Sequence, residues 1–286
     1  MWSEKLHAYY ELTKPRIATL ILIVAAATYY LASPRPIDLV RFAVTIIGIA
    51  MLAAGIFSLN HWMERDVDHL MKRTASRPLP SGRLKPAEAL VFGVCLTTLS
   101  IVGMSVSLNI LTGLLALATF VSYIFIYTPL KRVTPYHTPL GAISGAMPPL
   151  LGWAAATGVL SIEAWLLFGV LFFWQFPHFL SIEMLYSEDY SRAGIRVLPV
   201  VDPSWRKVGV ELIAALVLLI ATSAVPFLMK RAGLLYGIGA AVADTAFLVA
   251  GIQAVARKQK ASSRRLLLVS VFYLPLVFGL LVLNAR

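Results

Sequence analysis

The sequence predicts an all-α, polytopic membrane protein with nine transmembrane helices, its N-terminus cytoplasmic and its C-terminus outside. Three observations carry that expectation. The chain of 286 residues is 59% hydrophobic and only 14% charged, with a mean hydropathy of +0.78. Such values exclude a soluble globular domain. The chain also divides into nine mostly apolar stretches of about 20 residues, the length a helix needs to cross a bilayer. Its cations, finally, are distributed very unevenly between alternate links.

In order, the first stretch, 16–33, is the shortest. The second, 40–62, runs directly into a polar, strongly basic segment. The third and fourth, 87–107 and 109–128, are separated only by Ser107-Leu-Asn109. The fifth and sixth, 138–158 and 163–185, are joined by Thr157-Gly-Val-Leu-Ser161. The seventh, 207–229, the eighth, 232–256, and the ninth, 265–284, complete a single transmembrane domain over 1–286. The links 63–86, 128–137 and 184–206 carry unusual polar residues, and in a bundle they meet on one face, where function is expected. The single Cys95 lies in an apolar span, so no disulfide framework exists.

Twenty of the 25 Lys and Arg residues fall on the links that share a side with the N-terminus; the other five are Arg35, Arg41, Lys230, Arg231 and Arg286. This asymmetry sets the expected orientation. It also accounts for the net charge of +11 without nucleic acid, because cations gather beside anionic inner-leaflet lipid. No Arg-rich, Ser-rich transit segment precedes the first span, which favours the inner (plasma) membrane of a prokaryotic cell.

The most informative segment is Asn60-His-Trp-Met-Glu64-Arg65-Asp66-Val-Asp68, followed by Lys72, Arg73 and Arg77. At 100° per residue, positions 60, 64 and 68 share one helical face and drift about 40° per step. One amide oxygen and two carboxylates in a row suit Mg²⁺, especially when phosphate oxygens complete its octahedron. The row points to a metal-bridged diphosphate, and in a membrane protein to an isoprenoid diphosphate. Asp66 points away on an ideal helix; it joins the metal ligands only if the helix unwinds, and otherwise pairs with Arg65 or Arg73.

Lys72, Arg73 and Arg77 fit two roles, as inner-leaflet anchors or as a clamp on a departing diphosphate. The planar fork of Arg suits bidentate phosphate binding. Pro78 and Pro80 turn the loop back toward the acids. Lys131 and Arg132 are equally placed to bind diphosphate. Glu188 and Asp189 follow the sixth span and form a second metal site if they face the first acidic row.

Within the membrane, Trp174-Gln-Phe-Pro177-His178-Phe-Leu-Ser-Ile-Glu183 brings ionisable groups into a span, where they tend to face a cavity. An imidazole at His178 fits haem-iron ligation or proton transfer. Trp174 and Glu183 are grouped with it. Arg16, at the mouth of the first span, is a further cavity residue, and Asp244 lies mid-span without an obvious partner.

These motifs resemble the UbiA-type intramembrane prenyltransferase superfamily, whose first acidic motif has Asn followed by acids at +4 and +8. Within it the chain is similar to the protoheme IX farnesyltransferase family. The matching segments are Leu12-Thr-Lys-Pro-Arg16, Glu64 through Thr74, Arg77-Pro-Leu-Pro80, Tyr127-Thr-Pro-Leu-Lys-Arg132, Trp174-Gln-Phe-Pro-His178, and Asp189-Tyr190 through Val201. The resemblance implies a helical bundle with a central cavity and Mg²⁺-dependent transfer of farnesyl from farnesyl diphosphate to haem B. It also implies a haem A synthase or a terminal oxidase as downstream partner. Tyr123, Tyr127, Trp153 and Trp174 are then candidate rings facing the allylic cation. Glu64 stands where the superfamily usually has Asp, and the second motif lacks the fuller aspartate series of quinone-pathway enzymes. Two rival readings share many features: a prenyltransferase with a hydroxybenzoate, naphthoate or glyceryl phosphate acceptor, and a haem or lipid transporter.

Overall fold

A computed structural model describes residues 2–284; Arg286, one of the five outer cations, lies outside the described residues. Eight described helices are long and apolar enough to cross a membrane. They are α2 (Pro15–Ala32), α3 (Leu39–Asp68), α4 (Pro86–Ser107), α5 (Ile110–Val121) continued by a π-helical turn and α6 (Thr128–Leu130), α9 (Ile162–Leu185), α12 (Arg206–Leu228), α13 (Leu234–Arg257) and α14 (Lys260–Asn284). Pro15 and Pro86 occupy the first turns of α2 and α4, where a missing N–H costs nothing. Asp38 caps α3 and Asn109 caps α5, each accepting a backbone N–H at 2.9 Å.

The fifth predicted stretch is not one helix. It is α7 (Thr138–Gly145) followed by α8 (Met147–Thr157), with Ala146 between them at φ −91°, ψ 0°. Pro148 and Pro149 supply no N–H donors, so a new helix must start there. The Gln175 amide crosses from α9 and donates to the Ala142 carbonyl at 3.0 Å, beside the bond that oxygen accepts from the Ala146 N–H, and so ties the last turn of α7 to α9. The broken pair still runs between the two ends of the bundle. Lys131 lies against Glu64 just before it, and Arg41 donates to the Ala155 carbonyl at 2.7 Å near its far end.

Helix α1 (Trp2–Leu12) was not foreseen from hydropathy. It buries Ala8 and Leu12 against Leu79, Leu84 and Ala89, and ties down with Lys5–Glu88 (2.7 Å) and Arg83–Glu11 (2.6 Å) ion pairs. Helix α3 runs six residues past the expected end of the second span, so the whole acidic row sits on one helix. Short helices α10 (Ser187–Arg192) and α11 (Leu198–Val201) structure the 184–206 link.

The apolar core is divided. One cluster joins α9, α12, α13 and α14 through residues such as Trp174, Leu216, Phe247 and Phe278. Another joins α2, α3, α5 and α8 through Ala25, Ile56, Ala116 and Leu151. Helices α3 and α4 approach closely at Gly55, where an added Cβ would stand 2.3 Å from Thr97 Oγ1 and 2.8 Å from its backbone nitrogen. Small residues permit such approaches inside membranes. Gly55→Ala is expected to destabilise by about 1–3 kcal/mol, because backbone atoms cannot step aside. Thermal unfolding in detergent at an unchanged midpoint would remove that close contact from the account.

Candidate active site

Asn60, Glu64 and Asp68 project from the last turns of α3 along one face, and all three are buried. Each meets a cation from a different segment. Asn60 Oδ1 accepts from Lys14 Nζ at 3.0 Å, and its amide donates to Thr128 Oγ1 at 3.4 Å. Glu64 Oε1 lies 3.0 Å from Lys131 Nζ. Both carboxylate oxygens of Asp68 accept from Arg77 Nη1 at 2.8 Å. A buried carboxylate without such a partner is strongly disfavoured. The Thr74 hydroxyl donates to the Asp68 carbonyl at 2.7 Å and turns the loop back so that Arg77 returns to the row.

Lys14 is the residue sequence reasoning missed. By sequence it is one of the inner cations, while Arg16, two residues on, is the expected cavity residue. The structure reverses this. Lys14 reaches Asn60 and sits 5.0 Å over the Phe57 ring, whereas Arg16 is exposed on α2. Lys14 is held at φ 47°, ψ 60°, a left-handed conformation unfavourable for a side chain with a Cβ. Strain of this kind concentrates at functional positions. Burial, reinforced by the nearby Arg77 charge, pushes the Lys14 ammonium down to about 7 despite the attraction of Glu64. Burial acts the same way on Lys131, but there the adjoining Glu64 carboxylate outweighs it and raises the pKa.

Asp66 is not part of the row. It stands exposed on another face of α3, as helical geometry requires, and both its oxygens accept from Arg132 at 2.7 and 2.8 Å. Its partner is thus neither Arg65 nor Arg73. Arg132 also donates to the Met63 carbonyl at 2.7 Å. In this arrangement Arg132 fastens the 131–137 link to α3 and delivers Lys131 to Glu64, rather than reaching a diphosphate itself.

Glu188 does not join the row either. Its side chain is 71% exposed and pairs with Lys260 at 2.8 Å, a hydrogen bond that holds its carboxyl below the usual range. Asp189 is closer to the site but fully engaged. One oxygen accepts from Arg192 at 2.8 Å and the other from the Arg73 backbone N–H at 3.3 Å. Arg73 lies over Tyr186 and donates to the Tyr190 hydroxyl at 3.3 Å. Met71, Tyr190, Ile195 and Val197 lock the two loops together. Among the described residues no group of three or more His, Cys, Asp or Glu side chains gathers as a metal cluster. Lys72 is exposed and lines a separate groove with Lys260 and Arg264.

Trp174, His178 and Glu183 do not form one group. Trp174 stacks on His178 at 4.6 Å, and both turn to α14, with Trp174 Nε1 donating to the Ser270 carbonyl and His178 Nδ1 2.8 Å from Ser270 Oγ. The Ser270 hydroxyl donates to the Leu267 carbonyl at 2.7 Å, so it accepts from His178. His178 therefore carries its proton on Nδ1 and presents a lone pair at Nε2. Glu183, on another face of α9, pairs with His137 Nε2 at 3.3 Å, and its Oε2 is buried without a partner. His137 was not singled out from sequence, and no local motif marks it. Asp244 has partners after all: Ser223 at 2.7 Å and Tyr273 at 2.6 Å hold it as a buried interhelical link.

Of the expected aromatic wall, Tyr123 and Tyr127 stand beside the row on a π-helical turn (Ser122–Tyr127), 5.2 Å apart, with Phe57 6.3 Å from Tyr123. Widened turns of this type recur at functional sites. Trp153 instead lines a cavity of about 390 Å³ with Glu163 and Arg231 at the opposite end of the bundle.

The donor set suits Mg²⁺, since an amide oxygen and two carboxylates are hard ligands on one face. His61, within the field of Lys14 and Arg77, buries both ring nitrogens without a partner, so unused polar capacity remains beside the row. Chemically, the arrangement can receive a polyanion with a divalent cation against three basic side chains and an aromatic wall.

Residues 20–277 match the model of the UbiA prenyltransferase family. The chain is 45% identical over 285 residues to the protoheme IX farnesyltransferase of Solibacter usitatus (strain Ellin6076), covering 96% of this chain and 98% of that protein. It is 39% identical over 276 residues to that of Salinibacter ruber (strain DSM 13855 / M31), again covering 96% and 98%. The fold matches a solved digeranylgeranylglyceryl phosphate synthase with a TM-score of 0.81 at 21% identity, over 98% of both chains. It also matches a UbiA homolog from Archaeoglobus fulgidus bound to DMAPP and Mg²⁺, with a TM-score of 0.66 at 16% identity, over 96% of this chain and 98% of that one. With near full-length likeness and the acidic row on its predicted helix, the chain belongs to the UbiA prenyltransferase family and, within it, with the protoheme IX farnesyltransferases.

Proposed function

We propose that this integral membrane protein transfers the farnesyl group of farnesyl diphosphate to a vinyl group of haem B, with addition of water, giving haem O and diphosphate. The observation that carries the reading is the likeness to protoheme IX farnesyltransferases along 96% of the chain. The buried Asn60–Glu64–Asp68 row and its three cations support it from chemistry.

In the reaction the bond from C1 to the diphosphate oxygen breaks and its electron pair leaves with diphosphate. The vinyl π pair forms the new bond to C1, and the resulting porphyrin-side cation takes a water oxygen while that water loses a proton. Lys14, Lys131 and Arg77 are positioned to neutralise charge on the leaving oxygens, and preorganised charge is most effective where water is excluded. Arg73, held by Tyr186 and Tyr190, stands next in line on the same loop. Phe57, Tyr123 and Tyr127 present ring faces that stabilise an allylic cation without trapping it. Mg²⁺, when bound, supplies Lewis-acid neutralisation of the diphosphate, and Asn60, Glu64 and Asp68 are the residues that would hold it. Mg²⁺ bound with DMAPP in the Archaeoglobus fulgidus neighbour supports this assignment. The site end of the bundle carries the cation-rich links, which supports a position on the cytoplasmic side of the cell (inner) membrane.

The test is mass spectrometry of haem extracted after incubation of the purified protein with haem B, farnesyl diphosphate and Mg²⁺, beside an EDTA control. A Mg²⁺-dependent gain of one farnesyl and one hydroxyl group is expected. Diphosphate release with unaltered haem would point to another acceptor, and intact diphosphate with unaltered haem would favour transport.

A further inference from the structure

A second polar mouth opens beside the acidic row. It is a cavity of about 550 Å³ where the 69–85 loop, the end of α9 and the start of α14 converge. Lys72, Lys260 and Arg264 bring three cations to it, Glu188 and Asp189 two carboxylates that are already paired, with Lys260 and with Arg192, and Leu185, Leu267 and Leu268 make its apolar wall. Lys260 and Arg264 share a face of α14 at four-residue spacing. Of the three cations, Lys260 alone has a carboxylate partner among the described residues, the exposed Glu188. Exposed pairs contribute little to stability, so an incoming anion displaces this one at small cost.

The apolar wall continues inward along the contact of α9 with α14. Three residues beyond Leu267 is Ser270, which accepts from His178 and receives the Trp174 indole N–H on its carbonyl. His178 lies seven residues before Leu185, about 10 Å along the helix. From the mouth inward the contact thus offers cations, then leucines, then a stacked indole and imidazole whose Nε2 lone pair is free.

A haem presents the matching sequence of chemistries: two carboxylates on one edge, an apolar macrocycle, and a metal at its centre. We propose that the rim formed by Lys72, Lys260 and Arg264 holds the propionate carboxylates of the haem acceptor, with the macrocycle lying along Leu185 and Leu267 toward His178. The inference rests on haem B being the acceptor. Because Lys72 shares its loop with Arg73 and Arg77, the same segment contacts acceptor carboxylates on one side and the acidic row on the other. The rim thereby makes Lys72 a ligand of the acceptor rather than of the donor.

The experiment titrates the full-length protein in phosphatidylcholine nanodiscs with haem B and with haem B dimethyl ester, whose propionates are uncharged. The wild type is expected to bind haem B about tenfold or more tighter than the diester, since hydrogen bonds between charged groups are the strong ones. In the Lys260→Gln, Arg264→Gln double variant that preference should collapse, with diester affinity and the affinity for a farnesyl thiodiphosphate analogue unchanged. Lys260→Arg with Arg264→Lys should restore the preference and guards against misfolding of the Gln variant. A Gln variant that keeps the wild-type preference overturns the proposal. So does one that keeps it while losing thermal stabilisation by added phosphatidylglycerol, which would make the rim a lipid-phosphate site. If the wild type binds no haem and forms no haem product, the haem-acceptor function itself falls, an outcome distinct from a wild type that binds haem without regard to its carboxylates.

Discussion

Replacing Asp68 with Asn should lower turnover by about 10³-fold while leaving a folded, extractable protein. Asp68 is fully buried and takes both oxygens to the Arg77 guanidinium, so it positions a diphosphate-binding cation as well as offering a hard ligand to Mg²⁺. Asn keeps the volume and one acceptor oxygen but loses the charge needed for both tasks. Asp68→Ala should reduce turnover at least as far. It also leaves Arg77 uncompensated in a buried setting, a defect of about 3–5 kcal/mol, so its lost activity must be read beside its unfolding midpoint. Asn separates chemistry from folding because it still satisfies part of the Arg77 donor set. Steady-state release of diphosphate, measured with both substrates saturating, is the readout. Full activity in the Asn variant would remove Asp68 from the metal and donor site.

A second large effect is expected at Lys14, which lies within the segment Leu12-Thr-Lys-Pro-Arg16 but has no role there by sequence alone. Lys14→Gln should cut kcat/KM for farnesyl diphosphate by about 10²-fold, the effect of removing one charge-assisted contact to a buried polyanion together with its field. Arg16→Gln, two residues away and exposed, should change it by less than about twofold, as isolated surface charges do. Lys14→Arg should recover part of the loss, because the charge remains while the reach to Asn60 changes. The comparison isolates position from net charge: all three variants stand at the same helix mouth. Equal losses in Lys14→Gln and Arg16→Gln would show that the local basic potential matters, and not the Lys14–Asn60 contact.

Much of the candidate site was legible because it lies on one regular element. Asn60, Glu64 and Asp68 had to share a face once α3 was helical, and Asp66 had to point elsewhere. Similar reasoning placed Trp174 and His178 together. It failed where a residue's role depends on another element. Glu188 lies next to Asp189 in sequence, yet one faces Lys260 and the other Arg73. Glu183 shares a helix with His178 but faces His137, which lies 46 residues away in sequence.

A bundle of membrane-crossing helices, the place of most of them, and an acidic row at the end of one can all be read from the residues alone. These properties depend on apolar run length and on the fixed angle between successive residues of a helix, both local quantities. Packing between elements sets the rest: the fifth stretch breaks at Ala146, with Gln175 reaching Ala142 from α9, and Lys14 rather than Arg16 meets Asn60. It also decided that Lys131 meets Glu64 while its neighbour Arg132 is spent on Asp66. The physical reason is the same in each case. A buried charge or a buried polar side chain must find a partner, and which partner is within reach depends on how elements distant in sequence pack together.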